Sequence, residues 1–295
     1  MNEKNLTYLK DSLKYQGFGD KLQNELDHHI RQGFPEFTLK LNTEFNNRPI
    51  EALLHFRKGE QSDLYFFNKY VATLQKAQGT NESRTHTFYI NKGSGVTLKE
   101  AFNLLEGRAV HKELKNVNGQ EYKAWMQLDL KTKDEHNNYK VNKYHERYGF
   151  NLEEALQKIN DKVPLKELTN SEWKERLLTS LEKGNLQSVK FILEDREQVA
   201  YLEANPQYKN LNIYDENGKK VYQGNTEGVK TNTTSYKNEV QEAKVGEAKE
   251  QKEEQKKEIK QEVKNTKEKK GVKQKGEEGL LEKKRTRKSK GQTMG

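Results

Sequence analysis

Two rhythms of apolar residues take turns along this chain. Leu6, Leu9 and Leu13 recur at helical spacing and predict a short amphipathic helix over Asn5–Tyr15. Gly17-Phe18-Gly19 interrupts it. Asp20, with Gln23 as a capping-box partner, opens a second helix whose stripe is Leu22, Leu26 and Ile30. Gly33 ends that helix and Pro35 prevents its continuation. The rhythm then changes to strict alternation. Phe37, Leu39 and Leu41 face one way and Thr38, Lys40 and Asn42 the other; Ile50, Ala52, Leu54 and Phe56 repeat the pattern. Leu64–Phe67, Tyr70–Leu74 and Thr85–Asn91 follow as further short strands, with His86, Phe88 and Ile90 on one face. The connections are too short for crossovers, so the section reads as an antiparallel meander.

Thr97 and Glu100 cap a helix over Leu98–Glu106, which Gly107 stops. Arg108–Leu114 and Tyr122–Lys131 read as a hairpin around the Asn118-Gly119 turn. In its second strand Ala124, Met126, Leu128 and Leu130 face one way and Trp125 the other, which predicts that both faces are partly covered. Tyr139–Tyr148 is strand or irregular, and Asn151 with Glu154 caps a helix over Leu152–Ile159. Pro164 opens a connector into Thr169–Lys220, read as a helix with Trp173, Leu177 and Leu181 inward, a stop at Gly184, and three short strands. Helix, glycine and strands thus recur three times. The recurrence is either an internal duplication or the ordinary punctuation of such chains. The expected fold class is α+β: mainly antiparallel strands in hairpins and meander, with short amphipathic helices. An N-terminal domain is expected over 1–163, a smaller helix-plus-strand unit over 164–222, and a disordered Lys/Glu-rich tail over 223–295.

Composition supports that division. Only 31% of the chain is apolar and 34% is charged. The apolar deficit lies at the C-terminal end, which lacks the apolar surface to offset the entropy of ordering. The net charge of +9 is also uneven. Gln223 to Gly295 holds 20 basic and 13 acidic residues, a balance of +7, against +2 for everything before it. There is no cysteine, hence no disulfide partner and no thiolate metal site. The N-terminus has no uninterrupted apolar run, so no signal peptide is expected. No stretch of about 18 apolar residues predicts a membrane span.

Candidate chemistry is thin. The strand–NKGSG–helix junction is the best anion-binding feature: Gly93 and Gly95 let backbone amides approach, Lys92 adds charge, and the helix adds a dipole. Neither nucleotide-loop signature is present, and a strand-to-helix turn needs glycine in any case. Asp129 and Lys131 resemble the acid-x-Lys half of a metal-dependent nuclease site, which needs a second acid such as Glu121 or Asp63. His28 and His29 are adjacent on a helix and point apart; His86, His136 and His145 lack ligand spacing. No metal, cofactor or catalytic residue is therefore assigned. Two aromatic–basic clusters remain, Tyr65–Tyr70 and Lys143–Tyr148. In them Tyr65, Phe67, Lys69, Tyr144 and Arg147 are candidates to stack on bases and meet phosphates, with core packing as the competing explanation. In the tail, Lys283, Lys284, Arg285, Arg287, Lys288 and Lys290 would attract a polyanion without regard to sequence, or simply keep the chain soluble.

The wording LKYQGFGDKL, FYINKGSGVTLKEAFNLLEGRAVHKEL, AWMQLDL and LEKGNLQSVKF…YLEANPQYKNLNIYDENGKKV, across most of Asn5–Val221, resembles an uncharacterised domain-of-unknown-function family of bacterial integrative and conjugative elements. That family has no established activity or catalytic residues to carry over. The resemblance implies a cytoplasmic accessory protein of mobile DNA, with relatives encoded near genes for DNA processing. The expectation is a non-enzymatic binding protein that contacts DNA or RNA through its basic tail and docks a DNA-processing protein, with no membrane partner. A pure protein-interaction module and a metal-dependent DNA-processing enzyme using Asp129 and Lys131 are the alternatives.

Overall fold

A computed structural model describes residues 2–75, 83–90, 95–116, 118–193 and 196–221. Each of its three sheets is entered through a helix. Helices α1 (Glu3–Tyr15) and α2 (Gln23–Gln32) lead into β1 (Glu36–Phe45), β2 (Arg48–Lys58), β3 (Tyr65–Leu74) and β4 (Arg84–Tyr89). Helix α3 (Leu98–Leu105) leads into β5 (Val110–Lys115), β6 (Glu121–Lys133) and β7 (Tyr139–His145). Helices α4 (Leu152–Asn160) and α5 (Ser171–Glu182) lead into β8 (Gln187–Leu193), β9 (Arg196–Asn205), β10 (Asn210–Tyr214) and β11 (Lys220–Val221). The sheet orders are β1-β2-β3-β4, β5-β6-β7 and β11-β10-β9-β8, and the strand pairs are antiparallel. The fold is α+β, with antiparallel sheets and short amphipathic helices. No helix among the described residues is long and apolar enough to cross a membrane.

Glycine makes each helix-to-sheet turn. Gly33, Gly107 and Gly184 follow α2, α3 and α5 with φ of 77°, 91° and 76°, a region costly for any residue with a Cβ. Gly184 is also a close approach. A Cβ there would lie 2.7 Å from the Ala109 carbonyl oxygen and 2.9 Å from Val110. The end of α5 is thereby docked on the start of β5.

Two apolar cores share the middle sheet. The first joins α1, α2 and α3 to the inner face of β1–β4 and takes Leu128 and Tyr139 from the middle sheet. The second joins α4, α5 and β8–β10 and takes Trp125 from β6. The opposed directions of Leu128 and Trp125 on one strand are the reason: both faces of β6 are covered, as its pattern predicts. Helix α3 lies at the junction and is buried nearly all round. Its polar side chains are satisfied there. Glu100 completes a capping box with Thr97 and holds Lys112 at 3.0 Å. Asn103 donates to the Lys183 carbonyl at 2.7 Å and to Asn185 at 2.9 Å.

Several expectations change. Helix α2 starts at Gln23, after an irregular turn in which Gln23 bonds Asp20, so Asp20 is not its N-cap. Leu64–Phe67 and Tyr70–Leu74 are one strand, β3, with a register shift opposite His55/Phe56. Trp173 is 43% exposed, because only Leu177 and Leu181 of its stripe reach the core. The described residues fall in one compact unit, Met1–Tyr236. The division expected at 163/164 cuts through the second core, since α4 packs with α5 and β8–β10. The expected tail, 223–295, lies outside the described residues.

Candidate nucleic-acid interface

The middle sheet ends in a groove. In β7 the pairings are Trp125 with Tyr144, Met126 with Lys143, and Ala124 with His145. Alternation sends Trp125 and Tyr144 toward the second core and Lys143 and His145 the other way. The chain then tightens into a 3-10 turn, Glu146–Tyr148, closed by Gly149 at φ 82°. This turn brings the Tyr148 ring within 5.1 Å of Tyr144, and the Tyr148 hydroxyl donates to the Gln207 carbonyl at 2.8 Å. Lys209 Nζ sits 4.8 Å from the centre of the same ring, while 40% of Tyr148 remains exposed. Tyr122 and His145 pack at 5.1 Å on the opposite wall. The space between is a shallow groove of about 890 Å³, lined by Tyr122, Lys123, Lys143, His145, Arg147 and Tyr148, and also by Glu121 and Glu146.

The groove carries cations that are not neutralised. Lys123, Lys143 and Arg147 have no carboxylate within ion-pair distance among the described residues. Glu121 is held by Lys115 at 3.0 Å, which also keeps its carboxyl below its ordinary pKa. Burial raises the pKa of Tyr144. Of the residues predicted here, Arg147 is exposed in the groove and Tyr144 is half-buried behind it.

The other aromatic cluster is mostly core. Tyr65 and Phe67 are buried at 3% and 7% exposure, so neither is available to stack on a base. Phe67 stands in a row of rings across the inner face of the first sheet: Phe37–Phe56 and Phe56–Phe67 at 5.0 Å, Phe67–Tyr70 at 6.5 Å and Tyr70–Phe88 at 5.3 Å. Such pairs contribute about 0.5–1.5 kcal/mol each beyond their burial, which is why the cluster is aromatic. The outward residues are Phe66, at 48% exposure, and Lys69. Phe67 faces in and Lys69 faces out, although they are two apart, because Asn68 is the extra residue of a bulge. Tyr89, exposed at 59%, lies directly across from Lys69 on β4. Strict alternation read from Tyr65 and then from Tyr70 falls out of phase by one residue. That mismatch is the signal that points to the bulge and to Phe66.

The open face continues toward β7. Strand β4 is an edge of its sheet, and the β6–β7 turn caps it through one side chain and one backbone amide. The Thr87 N–H donates to Asn138 Oδ1 at 2.8 Å, and the Tyr139 N–H donates to His86 Nδ1 at 3.1 Å. Burial drives the His86 pKa down from its ordinary 6.5 to about 4, with Asp134 acting weakly against that. His86 is thus a neutral acceptor that joins two sheets. A depression of about 440 Å³ opens at this joint, with Tyr89, Lys133 and Lys140 among its walls.

Those of the remaining candidates that lie among the described residues are held in other contacts. At the anion junction, Lys92 and Gly93 lie outside the described residues. Gly95 is a packing position, where a Cβ would meet Ile90 at 2.6 Å. The adjoining helix start is already occupied: Leu98 N–H bonds the Gln16 carbonyl at 2.9 Å, and the Glu100 carboxylate takes the Thr97 N–H at 2.8 Å. A second anion there would face that buried carboxylate. Asp129 accepts its own Lys131 N–H at 3.1 Å, which lowers its pKa and shapes the irregularity in β6. Asp63, one proposed companion acid, is bound to Lys58 at 2.9 Å. His29 stacks on Phe37 at 4.9 Å rather than pairing with a metal-ligand neighbour. Among the described residues no group of three or more His, Asp or Glu is placed to hold a metal. The tail residues Lys283, Lys284, Arg285, Arg287, Lys288 and Lys290 lie outside the described residues. Compared with protein-family models, curated proteins and solved structures, the chain matches none.

Proposed function

We propose that this chain is a non-enzymatic nucleic-acid-binding protein, and that the groove at the end of β6 and β7 is its binding surface. The carrying observation is the set of three cations, Lys123, Lys143 and Arg147, that line it without a carboxylate partner among the described residues, beside the rings of Tyr122 and Tyr148. An unpaired cation keeps its full attraction for a phosphate, and releasing condensed counterions favours the complex. The aromatic walls offer bases a face to stack on. The basic tail, Lys283–Lys290, adds a second, sequence-independent attraction. The resemblance to a family of conjugative elements supports the wider role of a cytoplasmic accessory of mobile DNA that works beside a DNA-processing protein.

Fluorescence anisotropy with labelled DNA, at two salt concentrations, tests this on the full chain. The double substitution Lys143→Glu with Arg147→Glu should weaken binding and flatten its salt dependence. Unchanged affinity would leave the tail as the sole contact and remove the groove. A protein partner is the second reading. It is favoured by Leu53 and Val71, paired neighbours in the middle of the open sheet face, outside both apolar cores. Leu53→Lys abolishing capture of a DNA-processing protein, with DNA binding intact, would favour it.

A further inference from the structure

We infer that the ligand is single-stranded and lies extended along β7, running from the groove at Tyr148 back to Lys69 and Tyr89 on the open sheet face. This rests on the nucleic-acid reading of the groove. The first ground is continuity. Lys69 and Tyr89 are cross-strand neighbours on the open face. Tyr89 shares the depression at the sheet joint with Lys133 and Lys140. Strand β7 is the edge of its sheet; it starts beside that depression and ends in the Tyr148 groove, with Lys140 on one face of the edge and Lys143 on the other. At roughly 3.3 Å per residue, β7 spans about 23 Å, more than one nucleotide reaches.

The second ground is charge. Lys69, Lys140, Lys143 and Arg147 have no carboxylate within ion-pair distance among the described residues. Elsewhere on the open face cations are neutralised: Lys40 is bound to Glu51 at 2.7 Å and Arg57 to Glu60 at 2.7 Å. On the open face Lys69 is thereby set apart from Lys40 and Arg57. The third ground is the aromatic spacing. Exposed Tyr89 and Tyr148 stand at the two ends of the path, and Phe66 lies on the same strand as Lys69. Rings on an open sheet stack on bases that are free of a partner strand; the bases of a duplex are already stacked on each other. Sequence preference is accordingly weak, since every base has a face to stack.

The test uses the full chain, so that the tail contributes equally to every measurement. Labelled oligothymidylates of about 4, 8 and 16 nucleotides, the range a single domain covers, are compared with a duplex. The single strand should bind about tenfold tighter than the duplex, and affinity should rise with length until the path is filled. Tyr89→Ala should lose about tenfold on the longest oligonucleotide and little on the shortest, which fits the Tyr148 groove alone. Tyr89→Phe should restore binding, which separates stacking from folding. Lys69→Glu should lower the salt dependence on the longest oligonucleotide only. If Tyr89→Ala and Lys69→Glu change nothing while Lys143→Glu with Arg147→Glu still weakens binding, the path is overturned and the groove stands. Duplex bound as tightly as single strand would also overturn it. No binding of any nucleic acid by the unaltered chain would remove both.

Discussion

Trp173 stands beside Lys166, Arg176 and Lys190 in a groove of about 370 Å³; Tyr148 stands beside Lys123, Lys143 and Arg147 in one of about 890 Å³. The two have the same ingredients, an exposed ring and three cations. They differ in pairing. Lys166 and Lys190 both close on Glu197, at 2.5 and 2.7 Å, and Arg176 closes on Glu172 at 2.5 Å. The cations around Tyr148 close on no carboxylate among the described residues. Exposed ion pairs contribute little to stability, but they cancel the local field. An aromatic–basic cluster is thus not a binding surface by composition alone; where the acidic residues fold back decides it. Glu197 is on β9 and reaches Lys190 across the β8–β9 hairpin and Lys166 from 31 residues away, contacts that depend on how the strands pair.

The largest effect should come from breaking the scaffold that both grooves share. Gly184→Ala combines a left-handed backbone with a Cβ forced against the Ala109 carbonyl. We expect a loss of about 3 kcal/mol, measured by urea unfolding. It should loosen α5, which carries Trp173, before it disturbs β7. Hydrogen exchange showing equal loss at both would mean that the two regions share one cooperative unit.

Charge reversal should then separate the grooves. Lys143→Glu with Arg147→Glu should weaken single-strand binding about a hundredfold, equivalent to about 2.7 kcal/mol. Lys166→Glu with Arg176→Glu should change it less than about threefold, because those cations are already neutralised. Equal losses from both pairs, read by anisotropy at one salt concentration, would end the distinction.

Acid should act on one region and spare the other. The unfolded imidazole of His86 titrates near its ordinary 6.5 and the folded one at about 4. Between those values the unfolded state binds more protons, so stability is full above pH 6.5 and falls as pH drops toward 4. The contribution is up to about 3 kcal/mol. Protonation removes the acceptor for the Tyr139 N–H and loosens the joint between β4 and β7. The Tyr139 and Thr87 amides should exchange faster at pH 5 than at pH 7, after correction for intrinsic rates, and amides of β8 and β9 should not. His86→Leu should be less stable at pH 7 and lose this part of the pH dependence.

Much of the scaffold was legible in the sequence, and the reasons are local. Period-two and helical stripes set the helices and most strands, and the opposed directions of Leu128 and Trp125 foretold a sheet covered on both faces. What stayed hidden depended on partners. Asn68 is a bulge residue only because of the strand opposite, so alternation in the sequence alone offers Tyr65 and Phe67 as base-stacking rings in place of Phe66. Trp173 fits its helical stripe by spacing, yet the core ends one turn earlier. Arg147 is identifiable as an aromatic-flanked cation, whereas the cation that faces Tyr89 is not beside it in sequence. That cation, Lys69, is across a strand pair.

The smallest change is also the sharpest probe of the pairing argument. Glu197→Gln removes one negative charge and keeps the side chain's size, and so releases Lys166 and Lys190 together. Lys190 would lose the partner that now raises its pKa. The groove at Trp173 would then hold two released lysines beside its ring, with Arg176 still closed on Glu172. Single-strand affinity should rise about threefold, and the salt dependence should steepen by about 0.7 for each new phosphate contact. Adding Trp173→Ala should cancel most of the gain, because the freed lysines would then lack a ring to hold a base. A gain that survives Trp173→Ala would mean that charge alone was released. No gain at all would mean that something other than ion pairing keeps the two grooves apart.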